Sequence, residues 1–372
     1  MTEQHALPFI ASLGEFLVQA ESLLADLREG DEAAAWRFKW EHPRFRDERI
    51  DAVRAAGLDL EDAKLVTARG YAFETWKDLA AFTEAVGRDR GILRFETAAD
   101  AVVDGDRDVL EALLREDPAL VGARSARRHR ATLLHYAAAN GVEGWRQRTP
   151  ANAVEIAGLL LDAGADPNAL ADMYDERCTT LGMLVSSSPP AEAGLQRPLA
   201  ELLLDRGASL EVPGSKWNGA VLTALVFGFL DTARALAPHA GPVRDIAVAA
   251  GLGLLGDTDR LLPGADAERL RAAFALACAL GQVRVAQLLL DAGADPDHYN
   301  PDGFHAHSTP LHQAVWADHE PVVRLLVERG ARLDVRDLIY DATPLDWAEH
   351  GQRTRIADYL RSRPSSRAAA TS

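Results

Sequence analysis

Three acidic side chains stand where a carboxylate would have chemistry to do: Glu349 in TPLDWAEHG, Asp341 in the preceding DLIYDA, and Asp172 in ALADMYDERC. An acid held away from water beside a charged partner shifts its pKa, and such groups serve as general acid, general base or water-orienting residue. Glu349 occupies the position that Ala138 and Val315 hold in related phrases, a place between helices where an unpaired carboxylate is expensive. The competing reading is a glutamate tolerated at an open end. Aromatic residues gather near these acids: Trp145, Tyr174, Tyr299 and Tyr340 in turn-rich segments, and Trp316 and Trp347 on helical patterns, with His307 and Gln313 close in sequence. Aromatics make up only 6% of the chain, so this gathering is uneven. Flat rings in a polar surround suit a binding hot spot or a stacking pocket. The alternative is that loop aromatics pack on one another and stiffen the fold.

Two further patterns could do chemistry. His305 and His307 form an HxH pair, and an extended segment would turn both imidazoles to one side, the beginning of a metal site. No HExxH-like helix spacing supports one, so neither metal nor cofactor is expected. The segment 124–148 holds Arg124, Arg127, Arg128, Arg130, Arg146 and Arg148 against Glu143 alone, in a chain of net charge −16. Such a run could meet nucleic-acid phosphate or an acidic partner, or it could be a solvated loop balancing acidic neighbours. The overall acidity argues against general DNA binding, which needs the opposite sign. There is no nucleophile elbow, phosphate-binding glycine loop or dinucleotide fingerprint.

The elements that carry these residues recur. LLLDAGADP occurs at 159–167 and 288–296, with LLLDRGAS at 202–209 and LLVERGAR at 325–332; TLLH, TPLH and TPLD stand at 132–135, 309–312 and 343–346. Thr309 can cap a helix whose first position is Pro310. Leu311, Ala314 and Val315 then share one face, Val322, Val323, Leu325 and Leu326 form the stripe of a second helix, and Gly330 supplies a left-handed cap.

The unit 308–337 resembles the ankyrin repeat motif for motif. The resemblance implies an all-α solenoid of about eight helix pairs, beginning near Phe95, Ala131, Cys178, Gly219, Val243, Glu268, Ser308 and Ala342, the third to fifth degenerate. Arg353, Arg355, Arg361 and Arg363 suit a solvent-facing last repeat. Residues 1–92 lack the phrase but are helical by pattern. This N-terminal module resembles the leader that precedes ankyrin arrays in many bacterial proteins, which implies a bacterial source and a packing cap. The array is placed at 93–361 and a frayed tail at 362–372. The loop phrases within 131–360 also resemble those of a group of uncharacterised bacterial ankyrin proteins, which implies a dedicated site.

Hydrophobic residues at 48% and charged residues at 26% are globular proportions. The two cysteines, Cys178 and Cys278, form no CxxC, so a disulfide framework and a zinc finger are excluded and a reducing compartment fits. The longest uncharged stretch, 217–230, is shorter than the roughly 20 residues a bilayer span takes. A cytoplasmic location without a secretory signal is expected. The functional expectation is a binding protein whose concave, aromatic- and carboxylate-lined surface holds a protein, peptide or small ligand. The alternative is a hydrolase with a nucleobase or small-molecule pocket, such as an N-glycosylase acting on damaged DNA bases. Insertions at 141–152 and 186–198 should share a side with Tyr174 and Tyr299. His307, Gln313, Trp316, Tyr340, Asp341, Trp347 and Glu349 should converge.

Overall fold

A computed structural model describes residues 11–174, 176–211, 217 and 219–363. Of the tail expected at 362–372 only Ser362 and Arg363 are described; residues 364–372 and the loop residue Asp175 lie outside the described residues. The chain divides into two compact units, 1–215 and 216–372.

The first unit opens with five helices: α1 (Leu13–Glu29), α2 (Glu32–Glu41), α3 (Ile50–Ala55), α4 (Leu60–Gly70) and α5 (Trp76–Arg88). Ser12 and Glu15 cap α1 reciprocally, and Gly30 at φ 88° ends it. Leu23, Phe38, Phe45, Val53 and Val66 form one core of this module; Phe16, Tyr71, Phe73, Leu79 and Phe82 form another. Three helix pairs follow. The first is α6 (Arg90–Asp104) with α7 (Arg107–Glu116), and the second α8 (Leu133–Tyr136) with α9 (Ala153–Asp162). Strands β1 (Ala171–Met173) and β2 (Glu176–Cys178) make an antiparallel finger with Asp172 opposite Arg177. Then come α10 (Thr180–Leu184), a short α11 (Ser188–Glu192) within the second insertion, and α12 (Gln196–Asp205). The buried Gln196 amide closes that insertion by donating to the Leu184 and Ser187 carbonyls, both at 3.0 Å.

The second unit holds five pairs: α13 (Ala220–Val226) with α14 (Leu230–Leu236), α15 (Ile246–Leu252) with α16 (Leu255–Leu261), α17 (Ala267–Ala279) with α18 (Val283–Asp291), α19 (Pro310–Trp316) with α20 (Glu320–Glu328), and α21 (Pro344–His350) with α22 (Thr354–Arg361). Each first helix packs on the next along α13, α15, α17, α19 and α21. Phe274, Leu289, Val315, Val323, Leu326 and Ile356 belong to one continuous core. The eight expected helix pairs are therefore present, and the finger is the only sheet among the described residues.

Two hydrogen-bonding devices join neighbouring repeats. In the first, Thr132 and Thr309 cap their helices together with His135 and His312. Each Nδ1 accepts from the threonine backbone N–H, which leaves each Nε2–H to donate onward, to the Cys178 carbonyl at 3.3 Å and the Ala342 carbonyl at 3.1 Å. In the second, the residue before a second helix reaches back to the end of the preceding repeat's first helix. The Asn152 amide donates to the Gly105 carbonyl at 2.9 Å, the Gln282 amide to Gly251 at 3.0 Å, and the Arg353 guanidinium to Trp316 at 2.9 Å. His319 bonds the Ala279 carbonyl in the same way. Glycine is required beneath two of these locks. A Cβ on Gly105 (φ 73°) would lie 2.2 Å from Asn152 Oδ1, and one on Gly281 (φ 73°) would lie 2.8 Å from His319 Nδ1.

Candidate functional site

The last two repeats bring α19 and α21 side by side, so that aligned positions meet. Trp347 is the hub. Its ring centroid lies 5.2 Å from His312, 6.0 Å from His307, 6.0 Å from Trp316 and 6.4 Å from Tyr340. Trp316 stacks on His350, its neighbour by repeat register, at 6.4 Å and 17°. Asp337, fully enclosed, fixes this hub. Its carboxylate accepts the N–H groups of Ile339 (2.9 Å), Tyr340 (2.7 Å) and Ala342 (3.0 Å), and the Trp347 indole N–H (3.0 Å). Burial alone would raise its pKa, but these donors outweigh burial and hold it below the usual carboxylate range. The sequence carried a signal for Asp337 that the motif reading passed over: an aspartate entering a short turn ahead of a cap threonine, where its oxygens take the turn's N–H groups.

Over this frame Trp316, Leu338 and Tyr340 stay exposed, at 48%, 62% and 51%. The Leu338 N–H donates to the His307 carbonyl at 2.8 Å, tying the loop before α19 to the loop before α21. Burial lowers the pKa of both His307 and His312, so these rings are neutral near pH 7.

Other expected members of the site go elsewhere. Gln313 is buried and donates to Ser308 Oγ at 2.9 Å, a framework role. The Tyr299 hydroxyl donates to the Arg336 carbonyl at 2.5 Å, stapling the loop before α19 to the loop before α21. Asp341 sits in the turn before α21 at φ 54°, its carbonyl taking the Arg336 guanidinium. Glu349 corrects the reading of an enclosed carboxylate. Its side chain is 48% exposed and pairs with Arg361 at 2.9 Å, since among the described residues no helix covers it as α21 covers Val315 one repeat earlier. The HxH reading is also corrected. His305 sits at φ 63° rather than extended, and its ring bonds the Val226 carbonyl at 3.0 Å. Among the described residues no group of three or more His, Cys, Asp or Glu is placed to hold a metal. The long loop 297–308 thus folds back to the repeat built on α13, where the Trp217 indole also donates to the Gly303 carbonyl at 3.0 Å.

The family profile for ankyrin repeats in three copies matches residues 246–337 and 274–366, and the single ankyrin-repeat profile matches residues 129–172. The chain carries ankyrin repeats. Cyclin-dependent kinase 4 inhibitor B of Homo sapiens is 38% identical over 82 residues, 22% of this chain and 56% of that protein. Cyclin-dependent kinase inhibitor 2A of Monodelphis domestica is 37% identical over 82 residues, 22% and 46%. Ankyrin repeat and SOCS box protein 6 of Mus musculus is 39% identical over 69 residues, 18% and 16%. The matched ankyrin segment thus spans about half or less of these relatives. The human ASB11 ankyrin repeat domain aligns over 72% of this chain and 99% of its own, at 20% identity and a TM-score of 0.38.

In the first unit the ankyrin pattern is interrupted by the insertion at 141–152, and two of the six arginines of the basic run are internal. Arg146 is fully buried and reaches Glu96 and Asp100, both at 2.7 Å; Arg127, also buried, pairs with Glu143 at 2.6 Å and Glu96 at 3.2 Å. Arg128 pairs with Glu74 at 3.1 Å and Arg148 with Asp104. Arg124 donates to the Arg130 and Leu170 carbonyls, while Arg130 remains exposed. The basic run therefore divides: Arg127 and Arg146 are buried among carboxylates, whereas Arg124, Arg128, Arg130 and Arg148 are exposed, Arg128 and Arg148 pairing with the N-terminal module and α6. Burial alone would raise the Glu143 pKa, but Arg127, His129 and Arg146 hold it far below the usual range. Trp145 packs on Tyr71 at 4.6 Å, with Arg127 and Arg146 against its ring, so it anchors the insertion to the module. Tyr174 donates to Asn140 Oδ1 at 2.7 Å, and Asn140 in turn donates to Ser186 Oγ at 2.9 Å, which brings both insertions to the finger. Asp172 and Tyr174 line a cleft in this unit. The candidate catalytic carboxylates are accordingly spread over both units, with Asp172 in the first and Asp341 and Glu349 in the second.

Proposed function

We propose that this is a protein-binding ankyrin-repeat protein whose last two repeats dock an apolar segment of a partner protein on Trp316, Leu338 and Tyr340. The observation that carries the reading is the exposure of these three side chains over a rigid Trp347 hub. Exposed aromatics cost free energy in water, and a buried frame that holds them in fixed rotamers lowers the entropy lost on binding. Tryptophan and tyrosine dominate measured hot spots for these reasons. Two of the relatives are by name inhibitors of a kinase, which accords with a protein target. The charge of −16 favours a partner with a basic surface, steered in from a distance.

The test places a photo-crosslinking amino acid at Leu338 in the full chain in its native host and identifies the adduct by mass spectrometry. The affinity of the identified protein is then measured for Trp316→Ala and Tyr340→Ala. Each is expected to weaken binding by about 2 kcal/mol or more, roughly thirtyfold, with little change in melting temperature. A discrete adduct whose affinity is indifferent to both substitutions, or no adduct, defeats the reading. The hydrolase alternative has no comparable support, since Glu349 is spent on Arg361.

A further inference from the structure

The loop 297–308 ends beside the docking surface and lies wholly within the second unit. Its tip crosses back to the repeat built on α13. There the Trp217 indole N–H donates to the Gly303 carbonyl and the His305 Nε2–H to the Val226 carbonyl, both at 3.0 Å. Its other end carries the His307 carbonyl that takes the Leu338 N–H. Two repeats, those built on α15 and α17, stand between these anchor points. The connections that lead into them, 237–245 and 262–266, are shorter than the one between α18 and α19. The loop is a strap across these two repeats.

Burial beneath the strap follows repeat register. The first helices α17, α19 and α21 each run into a residue of positive φ: Gly281, Asp318 and Gln352. Five positions before that residue, Gln313 and Trp347 face the loops, Gln313 bonding Ser308 Oγ and Trp347 the Asp337 carboxylate. The same position in α17 is Leu276, an apolar side chain that would meet water if no loop lay over it, yet it is only 2% exposed. Pro301 of the strap is buried as well. The strap therefore roofs α17. It is lightly held. Among the described residues its tip is tied to the α13 repeat by the two bonds above, and neither polar atom of the buried Asn300 amide has a hydrogen-bond partner within the protein. A buried amide left unpaired is unfavourable, and a segment with few enclosed contacts opens locally while the rest stays folded. Exposed aromatics border the strap at both ends. Trp316 and Tyr340 stand at one; at the other, Phe227 is 42% exposed and packs edge-on against Trp217 at 5.6 Å.

We propose that the strap is an autoinhibitory cover, and that an extended, apolar segment of the docked partner replaces it over α17, running from Trp316 and Tyr340 to Phe227. The inference rests on the docking reading above and adds its regulation. The groups that hold the strap are groups a peptide backbone satisfies. Trp217 takes a carbonyl and Val226 takes an N–H, and any extended chain offers both. The exchange replaces Gly303 and His305 with groups of the partner, so hydrogen bonds are conserved while Leu276 and Phe227 gain an apolar neighbour. The closed protein binds weakly, because only the fraction with the strap lifted is competent.

The experiment first reads the cover without a partner. The full chain carrying Leu276→Cys is exposed to N-ethylmaleimide, and labelling at each position is read by fragment mass spectrometry. Cys278, fully buried in the same helix, reports unfolding of the whole unit. Position 276 should label about tenfold or more faster than Cys278, and His305→Ala should raise the rate at 276 about tenfold again with little change at Cys278. If Leu276→Cys unsettles the fold, hydrogen exchange of the amides at 302–307 in the wild type and in His305→Ala carries the same comparison. The protein captured through Leu338 is then titrated. His305→Ala should bind it about tenfold more tightly than wild type, and Phe227→Ala about tenfold more weakly. Labelling of both cysteines at one rate, or a partner that binds wild type and His305→Ala alike, overturns the cover and leaves the docking surface standing as long as Trp316→Ala still weakens binding. A partner indifferent to Trp316→Ala yet tightened by His305→Ala removes the hub as the docking surface and keeps the cover over α17.

Discussion

The imidazoles of His135 and His312 do something a threonine cap alone cannot. One nitrogen closes its own helix N-terminus while the other donates to the next repeat, so each ring works only in its neutral state with the proton on Nε2. His135 is enclosed, and burial depresses its pKa to about 4, with the Cys178 carbonyl opposing. The folded chain therefore binds fewer protons here than the unfolded chain, whose histidine titrates near 6.5. The stabilisation is complete above pH 6.5 and is lost as the pH falls from 6.5 toward 4, amounting to roughly 3 kcal/mol over that window. Urea unfolding followed by tryptophan fluorescence should show this extra acid sensitivity in the wild type and not in His135→Gln. Parallel pH profiles for the two would remove the histidine link from the account.

At the scale of elements, two neighbouring arginines in one insertion should behave differently. Arg146 is buried among Glu96, Asp100 and Glu143, and its removal strands carboxylates away from water, a loss of about 3–5 kcal/mol. Arg148 pairs with Asp104 in the open, with both side chains about half exposed, and Arg148→Ala should change stability by no more than about 1 kcal/mol. Comparing the urea midpoints of Arg146→Ala and Arg148→Ala tests this directly; equal effects would mean the buried net is not a unit. Little local in the sequence distinguishes the two, because Asp100 and Glu96, the closest partners of Arg146, lie 46 and 50 residues away. The same distance explains why the run at 124–148 reads as one basic surface when Arg127 and Arg146 within it are interior. The repeat framework, by contrast, was legible from short-range chemistry. Thr-x-x-His boxes, paired leucines and terminal glycines locate the helices even where the phrase decays, as in α13 to α16. The convergence of Trp316, Tyr340, His307 and Trp347 was legible too, since repeat register alone brings aligned positions together. Glu349 was misread because register assumes a following repeat.

At the scale of the whole molecule, each unit has hydrophobic cores of its own, so each should fold alone. A fragment spanning 217–363 is expected to melt cooperatively with a helical circular-dichroism spectrum, and a fragment without structure would show that the core of the second unit is insufficient. Within that unit the side chains of Gln282, His319 and Arg353 all reach toward the N-terminus, and none of these locks reaches the other way. At the last junction the grip nonetheless runs both ways, since His312 reaches forward to the Ala342 carbonyl while Arg353 reaches back to Trp316. Each junction is thus latched beside its apolar packing, and a pull meets the latches one after another. Stretched from its C-terminal side, the unit should pay out in successive small steps, one repeat at a time.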